Sequence, residues 1–145
     1  MGSKVITEMI DNIEQVIIGK RDIIDLTMIG LLAGGHLLLE DVPGVGKTTL
    51  ANAIAKTIDC GFTRIQFTPD SLPSDVTGMS IYNMKSGKFE YSKGAIMNHI
   101  ILADEINRTS PKTQASLLEA MEEGQVSVDG TTYELPKTFM VIATQ

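Results

Sequence analysis

Apolar side chains near the start of the chain fall at helical spacing, at Val5, Ile6, Met9, Ile10, Ile13, Val16 and Ile17. This pattern predicts an amphipathic helix over residues 5–17. Gly19 interrupts it, and Ile24, Met28, Leu31 and Leu32 resume the period in a second helix over 21–33, which Gly34 and Gly35 end. A short apolar run at 36–40 then leads through a glycine-rich turn into a third helix, from Lys47 to about Ile58. Residues 63–68 alternate polar and apolar, as a strand with one wet face does. Residues 100–103 and 139–143 are unbroken apolar runs, the pattern of strands covered on both faces. Strands separated by helices in this order predict an α/β fold with a parallel sheet flanked by helices. The alternating strand belongs near an edge and the continuous ones inside.

Two segments depart from simple alternation and predict β-hairpins. Residues 80–92 place Ile81-Tyr82 and Phe89-Glu90-Tyr91 around a turn at Lys85-Ser86-Gly87. Residues 125–135 place Val126-Ser127-Val128 and Thr131-Thr132-Tyr133 around Asp129-Gly130, a strong two-residue turn signal. Before the second hairpin a helix is marked by Ser110 as cap, Pro111 at its first position, a stripe of Leu117, Leu118 and Met121, and Gly124 at its end.

The chain has 145 residues, 43% hydrophobic and 21% charged, which suits one folded domain, 1–145, and excludes a disordered one. A net charge of −6 disfavours a surface that coats nucleic acid. The single cysteine, Cys60, cannot form an internal disulfide, and no apolar run is long enough to cross a bilayer. With no secretory signal at the start, these features predict a cytoplasmic protein without membrane insertion.

The candidate chemistry begins between the 36–40 strand and the third helix, at Glu40-Asp41-Val42-Pro43-Gly44-Val45-Gly46-Lys47-Thr48-Thr49. At a strand-to-helix junction, loop and first-turn N–H groups point at an anion, and the helix dipole favours negative charge there. Gly44 and Gly46 permit close backbone approach, Lys47 reaches the β- and γ-phosphates, and the Thr48 hydroxyl ligates Mg²⁺. Asp41 occupies the place of the first glycine in the strict phosphate-loop (Walker A) pattern G-x-x-x-x-G-K-[ST]. The competing reading, a glycine turn with a helix-capping threonine, is weakened by the strand before it and the helix after it.

A second constellation sits at the end of the apolar run 100–103, where Asp104 and Glu105 follow directly. In an open α/β sheet, ligands bind at the carboxyl ends of the strands. Asp104 is placed to hold Mg²⁺, through water, and Glu105 to orient and polarise an attacking water, in the manner of a Walker B pair. A solvated Asp-Glu pair is the alternative, disfavoured by the phosphate loop upstream.

Residues 35–48, Arg64-Ile65-Gln66-Phe67-Thr68-Pro69-Asp70, Ala103-Asp104-Glu105-Ile106-Asn107-Arg108, residues 119–126 and Val141-Ile142-Ala143-Thr144-Gln145 resemble the MoxR family of AAA+ ATPases. The resemblance runs from about Val16 to Gln145, and Asp41 is familiar within that family. It implies a P-loop NTPase core of the AAA+ type with sheet order 5-1-4-3-2, ATP and Mg²⁺ as cofactors, and Pro43, Gly44, Val45, Gly46, Lys47, Thr48 and Thr49 around the phosphates. It implies that Ile18 and Gly19 flank the adenine, that the first hairpin belongs to a helix-2 insert over 78–94, and that the second, 125–135, is a pre-sensor hairpin. It also implies a γ-phosphate sensor, a fifth strand, an arginine finger and a lid domain beyond Gln145.

On that reading the chain is the N-terminal part of a longer ATPase that works as a hexameric ring and remodels client proteins. The part present should bind ATP yet hydrolyse it poorly. Without the fifth strand, the strand feeding the phosphate loop becomes an unpaired edge, which invites self-association. A rival is an ATP-controlled binding or regulatory module with no motor activity. A GTPase would need an Asn-Lys-x-Asp motif, which these residues lack, and the acidic pair and the two hairpins disfavour a small-molecule kinase. Arg108 reads either as a contact to a neighbouring subunit or as a surface arginine. Tyr82, Phe89 and Tyr91 among Lys85, Lys88 and Lys93 could stack bases, but Glu90 interrupts them, and a hairpin for protein partners is preferred. His36 and His99 have no partners at metal-ligand spacing and read as core or strand-edge histidines.

Overall fold

The computed structural model describes residues 2–40 and 46–145. In chain order the helices are α1 (Gly2–Glu14), α2 (Arg21–Leu32), α3 (Lys47–Thr57), α4 (Pro73–Thr77) and α5 (Pro111–Glu123). The strands are β1 (Leu37–Leu39), β2 (Phe62–Gln66), β3 (Gly78–Asn83), β4 (Lys88–Lys93), β5 (Ile100–Asp104), β6 (Gln125–Val128), β7 (Thr131–Glu134) and β8 (Met140–Thr144). A short 3-10 turn spans Ile106–Arg108.

Four strands form a parallel sheet in the order β1-β8-β5-β2, as the sequence pattern and the family resemblance together require. The unbroken apolar runs became the interior strands, and β2, with its alternating pattern, lies at one edge. Because side chains alternate across a strand, each interior strand feeds two cores. Ile100, Leu102, Met140 and Ile142 face α1, α2 and α3, packing with Ile13, Ile24, Met28, Leu50 and Ile54. Ile101, Ala103, Val141 and Ala143 face the other way, against Phe67, Val76, Ile96, Leu117 and Val126. Burying each large side chain of this kind contributes about 1.5–3 kcal/mol, so the two central strands hold the layers together.

The first helix corrects the expected span of 5–17. It runs from Gly2 to Glu14, with Thr7 Oγ1 donating back to Ser3 O, and closes before Val16. The amide groups of Val16 and Ile17 both donate to Ile13 O at 3.0 Å, so a turn carries Ile17 into the core and prolongs the apolar period beyond the helix. Arg21 ties this turn down, its Nη1 2.7 Å from Asp11 and 2.6 Å from Glu14. The fifth helix follows its sequence signals: Ser110 Oγ accepts from Thr113 N at 3.3 Å, Pro111 opens the helix, and Gly124 ends it at φ 68°.

Both predicted hairpins form, β3 with β4 and β6 with β7, each antiparallel and outside the main sheet. The first is anchored by close backbone approach to α4. A Cβ on Gly94 would lie 2.2 Å from Val76 O and 2.3 Å from Gly78 N, distances that exclude any side chain. Tyr91 stacks on Tyr133 of the second hairpin with centroids 3.9 Å apart, and its hydroxyl donates to Thr77 O. The short helix α4 that receives these contacts was not anticipated. Its one turn begins with Pro73, and Asp75 Oδ2 accepts from Leu72 N at 2.8 Å.

His36 lies where β1 begins. Its Nδ1 accepts from Val141 N–H at 2.9 Å and its ring meets Phe139 edge to face. Burial lowers its pKa from the ordinary 6.5, because the cation is poorly solvated there. The unfolded chain therefore binds a proton more readily, and stability drains away as the pH falls through 6.5 toward the lowered folded value. His36→Asn keeps an acceptor for Val141 N–H but cannot titrate. Urea unfolding at pH 7.5 and pH 5.5 should show a smaller loss of stability for this variant than for the parent chain.

Candidate functional site

The parallel arrangement brings the C-terminal ends of β1, β8 and β5 to one edge of the sheet. β1 ends at Leu39 and leads through Glu40 toward α3. Of the expected phosphate-loop residues, Pro43, Gly44 and Val45 lie outside the described residues, as do Asp41 and Val42. Gly46 is described, at φ 62°, the left-handed region that glycine enters without steric cost. Glycine at the N-cap has no side chain to cap α3, and among the described residues no side chain accepts from its first-turn N–H groups. Lys47, Thr48 and Thr49 form that first turn, with both threonines exposed and Lys47 partly so.

The acidic pair stands two strands away at the end of β5, with Asp104 held from both sides. Thr144 Oγ1, from β8, donates to Asp104 Oδ1 at 2.5 Å. Arg64 Nη2, from β2, donates to Oδ2 at 2.8 Å. The Asp104 side chain is only 18% exposed. Burial alone would raise its pKa. Hydrogen bonds from Arg64 and Thr144, with the charges of Arg64 and Lys47, outweigh burial and hold the carboxyl below its ordinary value. The charge of Lys47, at the start of α3, is the smallest of these contributions. Thr48 and Asp104 offer oxygen donors only, the donor chemistry a hard cation such as Mg²⁺ requires.

Glu105 breaks from strand geometry at φ 55° and ψ 50°. Its N–H donates to Thr144 Oγ1 at 2.9 Å, and its Oε2 accepts from Arg108 Nη1 at 2.9 Å. Arg108 thus has a partner within the chain, though the pair is half exposed and of small energetic weight. Ile18 and Gly19 lie in the turn between α1 and α2, where Ile18 is 80% exposed and Gly19 adopts φ 76°.

Two residues of this site, Thr144 and Arg64, were absent from the sequence-based site set. Their contacts with Asp104 span 40 residues each and arise only from strand order and register. The histidines behave as expected of strand-edge residues: His36 accepts from Val141 N, and His99 Nδ1 lies 3.0 Å from Thr138 O. Among the described residues no three His, Cys, Asp or Glu side chains gather as a metal cluster. Cys60 is half-buried, and burial, followed by the charge of Asp59, pushes its thiol pKa up. Among the described residues, no helix is long and apolar enough to cross a membrane.

Comparison with known proteins agrees with this fold. Residues 36–145 match the family described as "ATPase family associated with various cellular activities (AAA)". The chain belongs to this class of ATPases, and within it to the MoxR family. It is 64% identical over 136 residues to the Bacillus subtilis protein YeaC, covering 94% of this chain and 42% of that relative. It is 42% identical over 133 residues to Chaperone MoxR1 of Mycobacterium tuberculosis, covering 92% of this chain and 35% of that relative. A solved structure from Cytophaga hutchinsonii, provisionally described as an ATPase, superposes with a TM-score of 0.88 at 50% identity, covering 98% of this chain and 43% of the other. The chain therefore spans less than half the length of these relatives.

The left-handed backbone at Glu105 yields a test. A non-glycine residue in this region costs roughly 1–2 kcal/mol, partly offset for glycine by its greater freedom when unfolded. Glu105→Gly should therefore be more stable than Glu105→Ala by about 1 kcal/mol in urea unfolding, since both lose the same carboxylate.

Proposed function

We propose that the chain binds Mg·ATP through the start of α3 and the preceding loop, and that in the longer protein it hydrolyses ATP to remodel client proteins. The observation that carries this reading is the parallel sheet order, which delivers β1, the strand before Lys47 and α3, and β5, the strand that carries Asp104 and leads to Glu105, to the same edge.

In this reading the N–H groups of α3 and the Lys47 ammonium hold the β- and γ-phosphates, with Pro43, Gly44, Val45, Gly46 and Thr49 wrapping them. Ile18 and Gly19 flank the adenine, and the high exposure of Ile18 fits an apolar side chain kept for a flat ligand. Thr48 and Asp104 hold Mg²⁺, which when bound neutralises charge on the phosphates. Glu105 takes a proton from the attacking water and orients it in line with the γ-phosphate. Its fixed backbone, held by Thr144, sets the direction of that carboxylate.

Turnover by this chain alone is slow, because an arginine finger supplied by a neighbour is worth about 10³- to 10⁵-fold in such reactions. In the longer protein, assembly into a hexameric ring would supply that group. The free edge of β1, which among the described residues pairs only with β8, supports self-association of the isolated chain. A cytoplasmic setting and protein clients complete the proposal.

Two substitutions test it in the full-length protein. Glu105→Gln should retain ATP and lose hydrolysis by at least about 10²-fold, reflecting removal of a general base. Lys47→Ala should lose nucleotide binding itself, measured with a fluorescent ATP analogue. If Glu105→Gln kept wild-type client activity, the regulatory reading without a motor would replace this one.

A further inference from the structure

Thr144 occupies a position that neither the acidic pair nor the phosphate loop explains. It is 1% exposed and ends β8, between the strand that feeds the loop and the strand that carries the carboxylates. Its backbone stands in register with Leu39 of β1, and the next residue, Gln145, donates from its amide to Leu39 O at 3.3 Å. Its hydroxyl turns the other way. That oxygen donates to Asp104 Oδ1 at 2.5 Å and accepts from Glu105 N–H at 2.9 Å.

The chemistry leaves little choice of side chain. Ionised Asp104 can only accept, and a backbone N–H can only donate, so the bridging group must do both. A hydroxyl has one proton and two lone pairs and meets the demand with a single atom. Valine has nearly the same shape and meets neither half. The second hydrogen bond also matters because Glu105 is the residue forced into the left-handed region, where its N–H has left the ladder between β5 and β8. Arg64 secures the other oxygen of Asp104 from β2, but its side chain is 45% exposed and makes no contact with Glu105 among those described. Thr144 is the group that joins both acidic residues to the loop strand.

We propose that Thr144 is a positioning residue for the nucleotide site, locking the carboxylate of Asp104 and the backbone of Glu105 to the strand that carries the phosphate loop. The inference rests on the Mg·ATP reading above. Thr144 touches neither substrate nor metal; it fixes the angle at which Asp104 presents its oxygens and the turn from which Glu105 projects. Losing it blurs the metal subsite and leaves the phosphate contacts of α3 intact.

The test compares binding of a fluorescent ATP analogue with Mg²⁺ and with EDTA, for the wild type, Thr144→Val, Thr144→Ala and Thr144→Ser in the full-length protein. The wild type should bind differently in the two buffers. In Thr144→Val the Mg²⁺-dependent part of the affinity should fall about tenfold, the scale of a lost hydrogen bond to a charged group, with EDTA affinity within about twofold of wild type. Thr144→Ala should behave alike, covering the case in which valine does not fold. Thr144→Ser should restore the Mg²⁺ effect, and hydrolysis should follow the same order. A wild type indifferent to Mg²⁺ would overturn the metal-site reading and this inference with it. A Mg²⁺-dependent wild type matched by the valine and alanine variants would overturn the inference alone. So would a serine variant as impaired as valine, because packing of the methyl group would then be the cause.

Discussion

A parallel sheet delivers the ends of all its strands to one edge, and the register between strands decides which residues meet there. In this chain Leu39 stands beside Thr144, and Ala103 beside Ala143, so the loop strand, the threonine and the acidic pair arrive side by side. A slip of one residue in β8 would turn every side chain of that strand over. Val141 and Ala143 would exchange cores with Met140 and Ile142, and the hydroxyl of Thr144 would leave Asp104. The buried apolar alternation of the two central strands is thus what fixes the geometry of the polar groups at their ends.

Stability and chemistry are divided along the same strands. The middles of β5 and β8 are buried on both faces by aliphatic packing. On these two strands, positive-φ backbone and paired charge appear only at the last residue of β5 and the one that follows it. Asp104 is kept ionised despite burial by donors on both neighbouring strands, and Glu105 is held in a backbone region unfavourable to it. Features of this kind persist only where the surroundings over-determine them, and the rigid strand on each side of β5 provides that.

Much of the fold could be read directly from residue patterns. Continuous apolar runs gave the interior strands, alternation gave the edge strand β2, and Asp129-Gly130 and the Ser110-Pro111 pair marked a hairpin and a helix start. These signals are local. The helix α1 ends three residues before its apolar period does, because a turn hydrogen-bonded to Ile13 O continues the burial of Ile17 without helix. Its N-terminal residues, Gly2 to Lys4, carry no signal that would extend the expected helix over them. At the site, Lys47, Thr48, Asp104 and Glu105 were legible as chemistry at element boundaries. Thr144 and Arg64 were not, since an isolated threonine or arginine in a strand has no motif. Their roles exist only once β8 and β2 are known to flank β5. The left-handed conformation of Glu105 was hidden for a related reason, because nothing in Asp-Glu-Ile predicts it without the turn that follows.

The stacked tyrosines give the two hairpins a shared fate. Tyr91 and Tyr133 lie nearly parallel, and the Tyr91 hydroxyl is fastened to Thr77 at the base of the first hairpin. The second hairpin continues without a loop from α5, whose capped start lies a few residues beyond Glu105. The exposed tip at Met84 is therefore not the end of a free ribbon: through the ring stack the first hairpin is joined to the second, and by chain continuity to α5 behind it.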